Sequence, residues 1–406
     1  MAAKRPAARA KKGAKAPKKG ATPLTRVEET AALVAELKSR YPGRVFLGEE
    51  YTMPWAVKRL PIGIPGIDIA VNGGLPAGGL SMITGPEGVG KNYLCNLAIR
   101  RQQEIYGEEA CIGVICTEMP YDKIFAHACG VACPMSDLEL EALEKDWKET
   151  MGVALPEEMR HRATRSVGTF VTVPPDTAES VFDVAIDMVK SGLFQVVMVD
   201  SFGALLTAFE GDLSMEDSMK PGGAAFVNSR FMRGITSALG QNAETGYPNL
   251  TSILGINQIR ANMNRANKYS PMTQEGGGHA LKHGRFVTIE LRPVGKVKSG
   301  KLVTGKTIHW GITKQKAGGH EGATGQYDFI WDLCGIDEEK EWLRAAAEAG
   351  SPTVDKAGSW YTIAGERVQG ETAATKIIRR EGLLPVLEDD VMRDHGIARR
   401  LKAPWE

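Results

Sequence analysis

The sequence predicts an α/β fold: a mostly parallel twisted sheet covered by helices on both faces, one isolated helix ahead of it, and a small α/β domain behind. Three observations predict it. From about Phe46 to Ile336, short apolar runs alternate with helical stretches, the pattern of a parallel sheet built by crossover connections. The glycine-rich segment Gly85-Pro86-Glu87-Gly88-Val89-Gly90-Lys91-Asn92 stands between one such run and a helix. A second buried run, Val196-Val197-Met198-Val199, ends in Asp200.

Taken in order, the chain opens on a basic tail. Residues 1–20 carry Lys4, Arg5, Arg9, Lys11, Lys12, Lys15, Lys18 and Lys19 and no acid, so in a chain of net charge +1 the remainder carries −7. A Lys/Ala/Pro/Gly segment of this kind buries no core and is expected to be disordered over 1–22. Its charge suits nucleic-acid phosphates, and suits a solubilising or targeting tail equally well. Thr25-Arg26-Val27-Glu28 then fits a capping box, with Thr25 as N-cap and Glu28 reaching back. Val27, Ala31, Val34, Leu37 and Tyr41 recur at helical spacing as far as Pro42-Gly43, which places one amphipathic helix within 23–45. Its apolar stripe needs a surface to pack on, either its own core or that of a neighbouring subunit.

The core is expected over 46–336. Its strands read as 80–84, 111–118, 194–201, 249–257, 286–292, 306–313 and 327–331. The first four are apolar enough to be central. The run 306–313 alternates Ile308, Trp310 and Ile312 with polar neighbours, which predicts a half-exposed antiparallel strand. Residues 135–167 are charged and helical in character and read as an insertion, and 337–406 form a small mixed domain containing Trp360-Tyr361. No apolar run approaches the ~18 residues of a membrane span. The basic N-terminus has no apolar segment behind it, so it is not a secretory signal. The six cysteines have no paired CxxC spacing, which suggests reduced thiols in a cytosolic compartment. Cys129 and Cys133 stand at the spacing of one helical turn, but no second pair completes a zinc site.

Residues 85–92 fit G-x-x-x-x-G-K-[ST] at every position but the last. In such a loop the backbone N–H groups close round a phosphate, the helix start adds a favourable dipole, and Lys91 reaches the β- and γ-phosphates. The usual final hydroxyl ligates Mg²⁺; Asn92 has none, and its amide oxygen is a neutral, poorer substitute. Binding of a nucleoside triphosphate is therefore expected, whereas the motif leaves open whether it is hydrolysed at a normal rate. Asp200 at the end of a buried strand suits a carboxylate holding the Mg²⁺ shell. Glu118 ends the run Val114-Ile115-Cys116-Thr117, where a carboxylate can orient and deprotonate water, although many strands end in an exposed Glu. Ile256-Asn257-Gln258-Ile259-Arg260 ends a further strand, and a long polar stretch with Arg265 and Lys268 follows it to Gly276-Gly277-Gly278-His279. A second such loop spans about 208–223. Long loops are functional or disordered; the charge of the first suits a nucleic-acid backbone, the second is rich in Gly, Met and acids, and charge alone favours a solvated loop for both.

With these residues in view, the chain resembles bacterial RecA and its phage-borne relatives from about Thr25 to Ile378. The likeness is carried by Gly73-Gly74-Leu75-Pro76, Gly85-Pro86-Glu87, Val199-Asp200-Ser201, Ile256-Asn257-Gln258-Ile259-Arg260, Gly277-Gly278-His279-Ala280-Leu281-Lys282 and Lys356-Ala357-Gly358-Ser359-Trp360-Tyr361. The resemblance implies a RecA-like P-loop NTPase core, an N-terminal polymerisation helix and a small C-terminal domain. It implies that the loop from Gly85 through Val89 to Tyr93 binds ATP, that Asn92 and Asp200 support Mg²⁺, and that Glu118 is the general base. It further implies that Gln258 couples the γ-phosphate to DNA. Asp122 and Phe125 fall where the family contacts adenine, Phe125 standing for a tyrosine. Lys314 and Lys316 match paired lysines that reach a neighbouring subunit's ATP, as arginine fingers do.

Arg233, Arg260, Arg265, Lys268, Gly277, Gly278 and Lys282 would serve DNA, in and beside loops at 208–223 and 259–281. The implied activity is DNA-dependent ATP hydrolysis with assembly into a head-to-tail helical filament on single-stranded DNA, then pairing and strand exchange with double-stranded DNA. The implied partners are DNA, further copies of the chain, and a single-stranded-DNA-binding or loader protein, in a bacterial cytoplasm or nucleoid. Asn92, Phe226 in place of an arginine, the insertion at 135–167, and a basic N-terminal tail with no acidic C-terminal tail depart from the bacterial pattern and point to a phage-type member. The alternative is a filament protein that binds ATP and DNA with little hydrolysis, the reading that Asn92 favours.

Overall fold

The computed structural model describes residues 25–203, 207, 223–240, 246–261, 273–275 and 278–406. The basic tail 1–22, most of the loop 208–223, and Arg265, Lys268 and Gly277 lie outside the described residues. The chain forms two compact units, the first reaching Tyr51 and also taking in Gly246. In that first unit the helix Arg26–Arg40 starts as the sequence requires. Thr25 Oγ1 accepts from the Glu28 N–H at 3.3 Å, and Glu28 Oε2 accepts from the Thr25 N–H at 2.7 Å. Lys38 pairs with Glu50 at 2.5 Å. No residue of the helix is buried; Val27, Ala31, Val34 and Ala35 line an open apolar groove with Leu47.

In the second unit, β1 (Arg59–Leu60) and β2 (Leu75–Pro76) pair as a small antiparallel ladder. The main sheet is built from β3 (Leu80–Gly85), β4 (Cys111–Cys116), β5 (Thr169–Val173), β6 (Val196–Asp200), β7 (Ser252–Ala261), β8 (Thr273–Glu275), β9 (Val287–Ser299), β10 (Leu302–Gln315) and β11 (Thr324–Ile330). Their spatial order is β11-β10-β9-β3-β7-β6-β4-β5, with β8 pairing only the end of β7. The pairs from β9 to β5 are parallel, and β10 is antiparallel to both its neighbours.

Strand alternation divides the core. Met198 and Ile83 face a cluster with Leu94, Leu97 and Ala98 of the helix Lys91–Tyr106. Val197, Val199 and Met82 face Phe182, Val189, Phe231 and Ile235 of the helices Ala178–Ser191 and Gly223–Ala238. Burying both faces of the sheet explains why the central strands read as continuous apolar runs.

Several expectations are corrected. The strand expected over 111–118 stops at Cys116, so Glu118 lies two residues beyond it. The strand expected to end at Asn257 runs on to Ala261, because β8 supplies a cross-strand partner: Ile259 pairs with Glu275 and Arg260 with Gln274. The run 286–292 extends to Ser299 as one arm of a long hairpin with β10. A strand outside the expected set, β5, follows the insertion. The helix before Cys129 ends at Ala128, so Cys129 and Cys133 do not share a helical turn. The segment 135–167 holds two helices, Asp137–Met151 and Glu157–Thr164.

The C-terminal part packs the helices Glu338–Ala349, Glu371–Glu381 and Leu384–Asp394 against β12 (Val354–Ala357), β13 (Trp360–Ile363) and β14 (Glu366–Gln369) around Trp342, Tyr361 and Ile378. Trp342 Nε1 donates to the Gly63 carbonyl at 3.1 Å and ties this part to the core. Among the described residues no helix is long and apolar enough to cross a membrane.

Candidate functional site

The parallel register gathers the candidate groups at one edge. Gly85 ends β3 opposite Gln258 of β7, and Asp200 ends β6 opposite Cys116 of β4, two residues before Glu118. Carboxyl ends of parallel strands, beside a reversal of strand order, are where open α/β sheets hold ligands.

The loop after β3 needs its glycines. Gly88 and Gly90 have φ of 66° and 101°, a region that L side chains rarely adopt. Gly90 is the N-cap of the helix Lys91–Tyr106. Among the described residues, the N–H groups of Glu87, Gly88, Val89 and Gly90 donate to no protein acceptor. Four free amides beside a helix start suit an anion. Lys91 is nearly buried, and its Nζ donates to the Gly85 and Pro86 carbonyls at 3.2 and 2.8 Å, with no carboxylate of the described residues at ion-pairing distance. Burial lowers its pKa, against the pull of Asp200 and Glu118. Asn92 donates from Nδ2 to Asp200 Oδ2 at 2.7 Å. Burial raises the Asp200 pKa, the Asn92 bond opposes that rise, and Glu118 adds to it.

Glu118 is exposed but held. Ser201 Oγ donates to its Oε1, and Gln258 Nε2 lies 3.5 and 3.4 Å from its two oxygens. Thr117 braces the same turn: its Oγ1 donates to the Ser201 carbonyl and accepts from the Ser201 N–H, both at 2.7 Å. The Asp200–Ser201 peptide is cis. Glu118, Ser201 and Gln258, from three adjacent strand ends, therefore form one polar cluster that fixes a carboxylate without burying it.

Hard oxygen donors suit Mg²⁺: the Asp200 carboxylate and the Asn92 amide oxygen are of that kind, with phosphate oxygens and water to complete a shell. A cavity of about 350 Å³ flanks the loop, lined by Gly88, Gly90, Lys91, Asn92, Tyr93, Phe125, Lys306 and Phe329. Phe125 is thus on the cavity. Asp122 is not: it caps the helix Lys123–Ala128, accepting from the Phe125 N–H at 2.9 Å, and lines a separate cavity against the insertion helix with Glu139 and Leu143.

Comparison with known proteins agrees with the geometry. The RecA N-terminal domain family matches residues 154–323, which hold Asp200, Gln258, Lys314 and Lys316. Protein RecA of Bordetella petrii is 26% identical over 374 residues, 91% of this chain and 90% of its own. Protein RecA of Bdellovibrio bacteriovorus is 28% identical over 358 residues, 87% and 81% of the two chains. Protein RecA of Ruegeria pomeroyi is 29% identical over 335 residues, 82% of each chain. The chain is thus similar to RecA proteins over most of its length.

In this RecA-like chain the remaining expected residues fall away from the loop. Lys314 and Lys316 sit at the far end of β10. Their ammonium groups donate to main-chain carbonyls at the end of the helix Gly278–Gly284, Lys314 to Lys282 and His283, and Lys316 to His283 at 2.5 Å. Gly278 begins that helix with φ 81°. Arg233 is exposed on the helix Gly223–Ala238, as is Phe226. Arg260 lies in β7 rather than in a loop. Sequence reasoning missed Ser201, Thr117, Lys306 and Phe329. Ser201 alone had a signal, its place directly after Asp200; the others reach the site only through strand pairing.

Proposed function

We propose that this chain is a RecA-type recombinase and ATP-dependent: it forms a helical filament on single-stranded DNA and promotes homologous pairing and strand exchange with double-stranded DNA. The observation that carries the reading is the open phosphate cradle: among the described residues, four loop amides without a protein acceptor stand beside an ammonium with no carboxylate at ion-pairing distance. The loop and Lys91 hold the phosphates of ATP. Asp200, with the Asn92 amide oxygen, holds Mg²⁺, whose bound charge offsets that of the β- and γ-phosphates. Glu118 orients a water and takes its proton at a carboxylate oxygen, while Ser201 and Gln258 keep that carboxylate in place. Gln258, on the strand that leads into the loop 259–281, couples the phosphate end to DNA.

Lys314 and Lys316 supply cations to a neighbouring subunit's nucleotide. The helix Arg26–Arg40 packs its exposed apolar stripe on that neighbour, a heterologous contact that repeats into a filament. Arg233, Arg260, Arg265, Lys268, Gly277, Gly278 and Lys282 serve the DNA, with a cytoplasmic setting. The division into a tail at 1–22, a polymerisation helix at 23–45, a core at 46–336 and a C-terminal domain at 337–406 belongs to the same reading.

A second reading has its own observation. The Asn92–Asp200 hydrogen bond occupies the two groups expected at Mg²⁺, which favours a filament protein that binds ATP and DNA but turns ATP over slowly. Measuring ATP hydrolysis with and without single-stranded DNA, alongside electron microscopy, separates the two. Filaments with strong DNA stimulation support the recombinase. Filaments with negligible turnover support the second reading, and the absence of ATP-dependent DNA binding would remove both.

A further inference from the structure

We propose that Lys306 is a nucleotide-positioning residue, a second cation that meets the nucleotide's α-phosphate on the outer flank of the phosphate loop. The inference rests on the reading of 85–92 as a nucleotide site. Lys306 is the fifth residue of β10, two strands away from β3 and more than two hundred residues later in the chain. Its Nζ donates to the Gly88 carbonyl, within the loop itself, and stands 5.5 Å from the centre of the Phe329 ring.

The surroundings define its chemistry. The cavity it lines takes in Asn92 and Tyr93, the first helical turn beyond Lys91, and the Phe125 ring. In a phosphate loop the lysine serves the β- and γ-phosphates, so residues past it lie toward the α-phosphate and the nucleoside. An aromatic ring and an ammonium on that flank suit a base and an anionic phosphate. Lys306 has no carboxylate within ion-pairing distance among the described residues, and its cross-strand partners are Lys296 and Phe329. One of its three donors is used on Gly88 and, among the described residues, the other two have no protein acceptor. Burial lowers its pKa, as expected of an ammonium half-removed from water without a counter-charge. An anion entering the cavity would supply that charge. The residue also bears on Asn92: where the metal is held less firmly, a fixed cation on the same loop offsets part of the phosphate charge.

The test is equilibrium binding of ADP and of adenosine to the full chain in EDTA, so that only protein cations act on the phosphates, at several salt concentrations. Lys306→Met should weaken ADP about tenfold, leave adenosine within twofold, and flatten the salt dependence of ADP binding. Lys306→Arg, which keeps the charge, should stay within about threefold of the parent for ADP. Equal losses for ADP and adenosine, or an unchanged salt dependence, would show a residue that only braces Gly88 and would overturn the proposal. If the parent chain bound no ADP, the nucleotide reading itself would fail, a result distinct from a parent and Lys306→Met that bind alike.

Discussion

Replacing Asn92 by threonine tests how the site handles its metal. In the free protein the Asn92 carboxamide donates to Asp200 Oδ2 at 2.7 Å, so a Mg²⁺ ion recruiting Asp200 competes with that bond. A hydrogen bond to a charged group contributes roughly 1.5–3 kcal/mol. Asp200 keeps some exposure to solvent, which places this one at the lower end, and about 1.4 kcal/mol corresponds to a factor of ten. Asn92→Thr removes the competing donor and adds a hydroxyl on a shorter side chain, a better Mg²⁺ ligand than an amide oxygen. The Mg²⁺ concentration giving half-maximal ATP binding should fall about tenfold, measured by titrating MgCl₂ at fixed ATP with a fluorescent nucleotide. Binding in EDTA should be nearly unchanged, because the loop amides and Lys91 are untouched. An unchanged Mg²⁺ midpoint would refute the reasoning, since it would mean that the Asn92–Asp200 bond does not lie on the path to metal binding.

Glu118→Gln should lower single-turnover ATP hydrolysis by about 10²–10⁴ while leaving the nucleotide Kd within a few fold; a variant that hydrolyses normally would exclude Glu118 as the base. Lys314→Ala combined with Lys316→Ala should leave ATP binding by the free chain intact and reduce DNA-stimulated turnover by about 10³, and equal loss of both would place the lysines in their own subunit's site. Trp342→Ala removes a buried indole and its bond to the Gly63 carbonyl, and should cost about 3–5 kcal/mol in urea unfolding, with a smaller loss marking a looser junction than the packing indicates. Asp68 is fully buried, and burial pushes its carboxyl up to about 7, against two backbone N–H bonds from Ile62 and Gly63 and the nearby Arg101. Between its unfolded value of 3.8 and about 7 the native state binds the extra proton, so this group's contribution to stability falls as pH rises through that window. The Tm of the parent should therefore drop relative to Asp68→Asn from pH 4.5 to 7.5, and parallel Tm profiles would count against a buried titrating carboxyl.

The parallel core was legible because each central strand is a bounded apolar run, and the glycine loop fixes which strand leads into which helix. The run 306–313 was read as antiparallel from alternation alone, and Ile308, Trp310 and Ile312 are buried as that alternation requires. What the sequence hid was structure whose stabilisation comes from a partner strand. Thr169–Val173 lies at the sheet edge with no residue fully buried, and its three apolar residues stand among threonines directly after the polar insertion, too short a run to separate from it. The outer half of β9, Arg292–Ser299, is mostly exposed and exists because β10 pairs with it. The same holds in the site. Gly88, Lys91 and Asp200 declare themselves by spacing, whereas Lys306 sits in an ordinary polar position of an edge hairpin. Only the β3-β9-β10 order carries it to the loop.

That strand order also bears on how two subunits would share one nucleotide. β10 holds Lys306 against the phosphate loop near one end and Lys314 at the other, eight residues on. At about 3.4 Å per residue the two side chains are rooted roughly 27 Å apart on a stiff, doubly paired strand. Lys314 lies level with Thr288 and, through it, with Met82, inside the sheet rather than at its carboxyl edge. Its ammonium is taken up by helix carbonyls there. No rotamer change brings it back to Gly85, so a role for Lys314 at a phosphate requires a second copy of the chain. The strand that completes one subunit's own cavity is then the strand that offers cations to the next, and tension on either end is carried by the same ladder of hydrogen bonds with β9 and β11. In the filament reading, contact with a neighbour's nucleotide and grip on a subunit's own would then fall on one paired strand, a contiguous route between adjacent sites.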